Sequence, residues 1–108
     1  MNLASINQPK GSFEILETTG RSQTAVMRLE VGSASGEGFN VHPHSDQVLL
    51  VVEGDLSAEV AAEKVAMHVG DIVVVPAGAK HKFTNAGSKP AVALSVYAPP
   101  AYQTDDPT

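Results

Sequence analysis

Gly70-Asp71-Ile72-Val73-Val74-Val75-Pro76-Ala77-Gly78-Ala79-Lys80-His81-Lys82-Phe83-Thr84-Asn85 decides the fold. Ile72 to Val75 are four β-branched residues in a row, stiff at χ1 and suited to a pleated strand. Gly70-Asp71 is a turn signal before them. Pro76 fixes its own φ and Gly78 can accept φ > 0, so Pro76-Ala77-Gly78 reads as a second turn. That turn re-aims the chain into another strand, Lys80 to Thr84. His81 and Phe83 then share one face, and Lys80 and Lys82 point the other way as surface charges. Asn85 is placed to bond the backbone of its own loop.

The same alternation continues in both directions. Upstream, Phe13–Thr18 and Thr24–Val31 are predicted strands around a turn at Thr19–Ser22. In the second, Met27, Leu29 and Val31 face one way, with Arg28 and Glu30 opposite. Arg28 is therefore expected at the surface; with the parity reversed it becomes the best anion-binding residue of the chain. Val48–Val52 is a continuous aliphatic run ended by Glu53-Gly54-Asp55. Leu56–Val60 and Val65–Val69 alternate, and Val92, Leu94 and Val96 close the pattern. An Ala- and Glu-rich stretch, Leu56 to Met67, competes as a helix. Its flanking turns, Gly54-Asp55 and Gly70-Asp71, favour a hairpin. About eight short strands with turns between them predict an all-β barrel or sandwich. The domain is expected over residues 12–98, with an arm at 1–11 and an extended tail at 99–108.

The 108-residue chain is the size of one domain, and 43% hydrophobic with 18% charged residues is a globular composition. A net charge of −5 argues against nucleic acid and against an anionic membrane surface. No apolar stretch is long enough to span a bilayer, and Met1 to Gly11 lack the apolar run of a signal peptide, so the expected location is cytoplasmic. With no cysteine, disulfides and thiolate metal sites are excluded, and any metal must rest on nitrogen and oxygen. There is no G-x-S-x-G, no phosphate-binding glycine loop and no stripe of aromatic and basic residues.

His42, His44, His68 and His81 are the four histidines. On a strand, His42 and His44 would share a face, and His81 could meet them from a strand packed opposite. Neutral imidazole suits Zn, Fe, Ni and Cu. His68 reads as a solvent-facing strand residue. Met27, Phe39, Phe83 and Tyr97 are expected to line a pocket. Asp46 is a reserve carboxylate, expected to be exposed and turn-forming.

With these residues in hand, the chain resembles the cupin superfamily. The family's second motif is Gly, five residues, Pro, one residue, Gly, two residues, His, three residues, Asn. Gly70, Pro76, Gly78, His81 and Asn85 match every position. The first motif is less regular. Gly36, five residues, His42-Pro43-His44 fits its start, and Gln47, six residues, Gly54 fits its end. Gln47 stands where the family has Glu, and the spacing from His44 is short by at least one. Either both histidines belong to the ligand pair around a tighter bend, or only one of them does. His42 to Gln47 is also similar to a segment of small barrels described as mannose-6-phosphate-isomerase-like.

The resemblance implies a double-stranded β-helix, or jelly-roll barrel, in the minimal form of the family. It implies one divalent transition metal (Fe, Mn, Ni, Zn or Cu) on His42, His44, His81 and Gln47. An amide at position 47 would weaken metal binding and raise Lewis acidity; the alternative is that Gln47 stands behind the ligands or contacts substrate instead. A metal-dependent enzyme acting on a small oxygenated molecule is the leading expectation, of oxygenase, decarboxylase or isomerase type. A non-catalytic module binding a small molecule or metal is the alternative, and a metal-free structural barrel the third. No catalytic residue is assigned. A homodimer is expected, through the arm or an outer sheet, because so small a sheet has edges to protect.

Overall fold

The computed structural model describes residues 1–7 and 11–103. Residues 8–10 of the expected arm and 104–108 of the expected tail lie outside the described residues. Eight antiparallel strands form two sheets, and the described residues contain no helix. The strands are β1 (Phe13–Thr18), β2 (Gln23–Leu29), β3 (Asp46–Glu53), β4 (Leu56–Val60), β5 (Glu63–Met67), β6 (Ile72–Val75), β7 (His81–Thr84) and β8 (Ala91–Ala98). The larger sheet has the order β1-β2-β8-β3-β6 and the smaller β5-β4-β7. The hairpin prediction for Leu56 to Met67 holds, and the competing helix is absent.

Period-two alternation builds the core between the sheets. Leu49 and Val51 of β3, Met27 and Leu29 of β2, and Ala91 and Ala93 of β8 face Leu56, Ala58, Met67 and Phe83. The opposite face of the larger sheet is aliphatic too. Register sets Val26, Leu94, Leu50 and Ile72 in one row across four strands, and Thr24, Val96, Val48 and Val74 in the next. Within these rows Val48, Ile72 and Val74 are exposed.

The boundaries of β2 and β5 differ from expectation for local reasons. β2 ends at Leu29 because a turn begins at Val31-Gly32. β5 begins at Glu63 because the hairpin turn is only Ala61-Ala62, with φ of 50° and 70°. Two positive φ values are what a two-residue hairpin asks for, and alanine gives no sign of it. His68 therefore falls just past β5, in a turn, and not on a strand.

The segment 32–40 runs along β7 as an irregular strand. Asn40 and His81 exchange both backbone hydrogen bonds at 2.9 Å, and Ser35 N–H donates to Phe83 O at 2.8 Å. Gly78, at φ 85°, donates its N–H to His42 O at 2.9 Å. Asp46 Oδ1 accepts from Ala77 N–H at 2.9 Å, so the Pro76–Gly78 turn is tied on both sides to the stretch that carries His42.

Candidate functional site

A cavity of about 270 Å³ opens between the sheets at the end where β7 begins. His81 enters from β7 and is 2% exposed. Its Nδ1–H donates to Ala79 O at 3.1 Å, because a carbonyl can only accept. That leaves the Nε2 lone pair free. His42 enters from the connection before β3, carried there by the Asn40–His81 pairing two residues earlier. The two rings stand 5.0 Å apart, centroid to centroid. Burial, and then the neighbouring His81, push the His42 pKa below its ordinary value, which favours the neutral ring.

Gln47 of β3 completes the wall. It is 4% exposed, and its Nε2 donates to Ser95 Oγ at 3.0 Å. Its Oε1 is buried with no partner. An acceptor left in that state costs about 1–3 kcal/mol unless something binds it.

The expected ligand set is therefore divided. His42, His81 and Gln47 meet in the cavity wall. His44 does not; it is exposed and outside that wall. The strand assumed through His42-Pro43-His44 is a turn at Pro43-His44, so the two-residue spacing no longer sets a common face. Among the described residues no group of three His, Cys, Asp or Glu side chains is placed to hold an ion. Met27, Phe83 and Tyr97 line the cavity as expected, but Phe39 is 49% exposed and stands outside it. Asn40, paired with His81, takes the inward position, and alternation turns its neighbour out. Asp46 is exposed and bonds the turn, as expected. Arg28 lies on the outer face beside Glu30, at 3.3 Å, so the reversed parity does not occur.

Sequence reasoning missed Phe13, Asn40, Ser95 and Tyr102. Tyr102 belongs by sequence to an extended tail. In the structure it folds back over the mouth and meets Phe13, His42 and Tyr97 at centroid distances of 5.1, 5.4 and 5.3 Å. The buried Gln23 of β2, which carries no motif, holds this segment in place: Tyr102 N–H and Ala101 N–H donate to its Oε1 at 3.0 and 3.2 Å.

The donor set can be tested against a metal ion. An ion about 2.1 Å from an imidazole nitrogen lies about 3.2 Å from the ring centre, so two rings sharing it stand about 4.5–5.2 Å apart. The observed 5.0 Å fits, and the unpartnered amide oxygen supplies a third donor. The set is neutral: two nitrogens and one oxygen, without a carboxylate.

A family model described as a cupin domain matches residues 25–97. An auxin-binding protein of Prunus persica is 33% identical over 82 residues, covering 71% of this chain and 39% of that protein. The chain thus spans about two-fifths of the length of that curated relative. A crystal structure from Thermus thermophilus is similar at 31% identity and a TM-score of 0.75, over 90% of each chain. One from Bacillus halodurans reaches a TM-score of 0.83 at 27% identity, over 89% of this chain and 76% of that one. No helix among the described residues is long and apolar enough to cross a membrane.

Proposed function

The chain belongs to the cupin family, and from that premise we propose that it binds a small oxygenated molecule at a divalent transition metal held by His42, His81 and Gln47. One observation carries this reading. Two imidazoles 39 positions apart in the chain meet at 5.0 Å in the same cavity as an unpartnered buried amide oxygen. When bound, such an ion supplies Lewis acidity and a point to which two substrate oxygens can attach. His42 and His81 hold and orient it, and the Ala79 carbonyl fixes the His81 tautomer. Met27, Leu29 and Phe83 keep water from the inner wall.

The lining residues favour chemistry run at the ion. None of them is Asp, Glu, Lys or Arg. That disfavours general-base isomerisation by a carboxylate, and a wall without Arg or Lys offers a phosphate no cationic clamp. Oxygenase or decarboxylase chemistry on a neutral or singly anionic molecule fits best. Non-catalytic capture of the same molecule is the second reading, favoured by the lack of a protein acid–base pair; turnover assays with diketones and sugar acids separate the two.

The direct test is metal analysis of purified chain offered Fe, Mn, Ni, Zn and Cu salts. About one ion per chain is expected in the wild type and in His44→Ala, and none in His42→Ala or His81→Ala. A wild type that takes up no ion, or a His44→Ala variant that fails like His81→Ala, overturns the reading.

We also propose a homodimer through the outer face of the larger sheet. Its two rows carry no charged side chain on β8, β3 or β6, and Val48, Ile72 and Val74 stand exposed in them; a contiguous exposed apolar patch suits a contact site. An apolar centre suits a self-complementary two-fold interface of about 800 Å² per partner. Light scattering is expected to give twice the 11.2 kDa chain mass. Val74→Lys, on the edge strand, is expected to return it to one chain. A wild-type monomer at high micromolar concentration overturns this.

A further inference from the structure

The segment after β8 is fastened over the cavity from two sides. Gln23 is fully buried, and its amide is wholly engaged. Nε2 donates to Tyr102 O at 2.9 Å and to Thr18 Oγ1 at 3.1 Å, and Oε1 accepts the two backbone N–H groups of Ala101 and Tyr102. Opposite, Ser45 Oγ–H donates to Pro100 O at 3.3 Å, from the same connection that carries His42. A buried glutamine with three of its four hydrogen bonds on one short segment, and the fourth on Thr18 of β1, holds that segment in a single place. What it places is the ring of Tyr102, at the mouth, against Phe13, His42 and Tyr97.

The cavity wall behind that ring carries polar groups. The Gln47 amide nitrogen can only donate, so Ser95 Oγ accepts from it. Ser95, Tyr97 and Tyr102 all line the cavity, and Tyr102 is the less buried of the two phenols; a phenol hydroxyl at the mouth can donate to a ligand oxygen.

We propose that Tyr102, latched by Gln23, is a ligand-binding residue: its hydroxyl donates to a carbonyl or carboxylate oxygen of the small molecule taken up at the mouth. Ala98 to Tyr102 then belong to the site, as a strap, and Gln23 is their positioning residue. This deepens the reading of a small oxygenated ligand and rests on it, but it does not require the ion.

The chain has two tyrosines, Tyr97 and Tyr102, and no tryptophan, so its intrinsic emission reports on the site alone. The probes are acetate, lactate and acetylacetone, each added to the full chain with and without Zn(II). In Tyr97→Phe, where Tyr102 is the sole emitter, at least one probe is expected to change the emission. Tyr102→Phe keeps the ring and loses the donor; it is expected to weaken that probe about fivefold or more with one Zn(II) still bound. Gln23→Ala is expected to weaken it likewise and to raise acrylamide quenching of Tyr102, a sign of an unlatched strap. Equal affinity in Tyr102→Phe, or a Tyr102 silent to all three probes, overturns the proposal. A wild type that binds a probe but no Zn(II) overturns the metal reading alone.

Discussion

The two stretches that carry the site, Gly36–Gly54 and Gly70–Asn85, deliver one cavity imidazole each by different means. The second is strand, three-residue turn, strand; His81 lies on β7, and alternation alone aims it inward. The first is mostly irregular. His42 is aimed by the pairing of Asn40 with His81 and by Gly78 N–H on its carbonyl. The lesson is that spacing carries directional meaning only within a regular element. Two residues apart on β7 puts His81 and Phe83 on one wall; two residues apart across Pro43 puts His42 inside and His44 outside.

The sharpest way to break this contrast is to compare the three histidines by metal titration. His81→Ala and His42→Ala are each expected to lower affinity by about two orders of magnitude or more, and His44→Ala by less than about twofold. Equal losses at 42 and 44 would restore the strand-like pairing that the turn denies.

The ends of the two stretches come next, since both are anchored at the loop that leads into β8. Gly54 sits at φ 74°, and a Cβ there would lie 2.6 Å from Pro90 O. Gly54→Ala is expected to cost about 3 kcal/mol in denaturant unfolding, from backbone strain plus collision. Asn85 is fully buried, donates to Leu29 O at 2.9 Å and Lys89 O at 2.8 Å, and accepts from Gly87 N–H at 2.9 Å. Asn85→Ala is expected to cost about 2–3 kcal/mol, because three backbone groups lose their partner. A loss under about 1 kcal/mol at either residue would mean that its stretch is held elsewhere.

The hairpin between the stretches offers a gain. Ala61→Asn with Ala62→Gly supplies the residues that the turn's positive φ values ask for, and is expected to stabilise the chain by about 1 kcal/mol. The smallest effect belongs to His68. Its Nδ1 lies 2.8 Å from Asp55 Oδ1, and that bond, then the Asp55 charge, raises its pKa. The stability this contributes is fully present below the unfolded value near 6.5 and fades as pH rises through the folded value. In an NMR titration the His68 midpoint is expected above 6.5, and Asp55→Asn is expected to bring it down.

Most of the barrel was legible because its strands announce themselves by β-branched alternation and by turns with Gly, Pro, Asn and Asp. Gly70, Pro76, Gly78 and His81 could be read from a local strand–turn–strand pattern, but Asn85 only in part, since besides Gly87 and Lys89 of its own loop it donates to Leu29 O. Phe39 was misplaced because its orientation depends on a long-range pairing of its neighbour Asn40, which no local pattern encodes. Tyr102 was missed for a related reason: its place is set by Gln23, 79 positions earlier. The Ala61-Ala62 turn was blurred because alanine is neutral evidence for a conformation that it adopts only when the flanking strands demand it.

The aliphatic rows on both faces of β3 leave hydrophobicity unable to tell one side of that strand from the other. Val48 to Val52 would bury nearly as well if slid by one residue, with Leu50 in place of Leu49. Polar groups break the tie: Gln47 on Ser95, Asp46 on Ala77, and the irregularity between Val51 and Glu53. Gln47 thus acts as an alignment peg for the central strand as well as a wall of the cavity, so sheet register and site share one side chain.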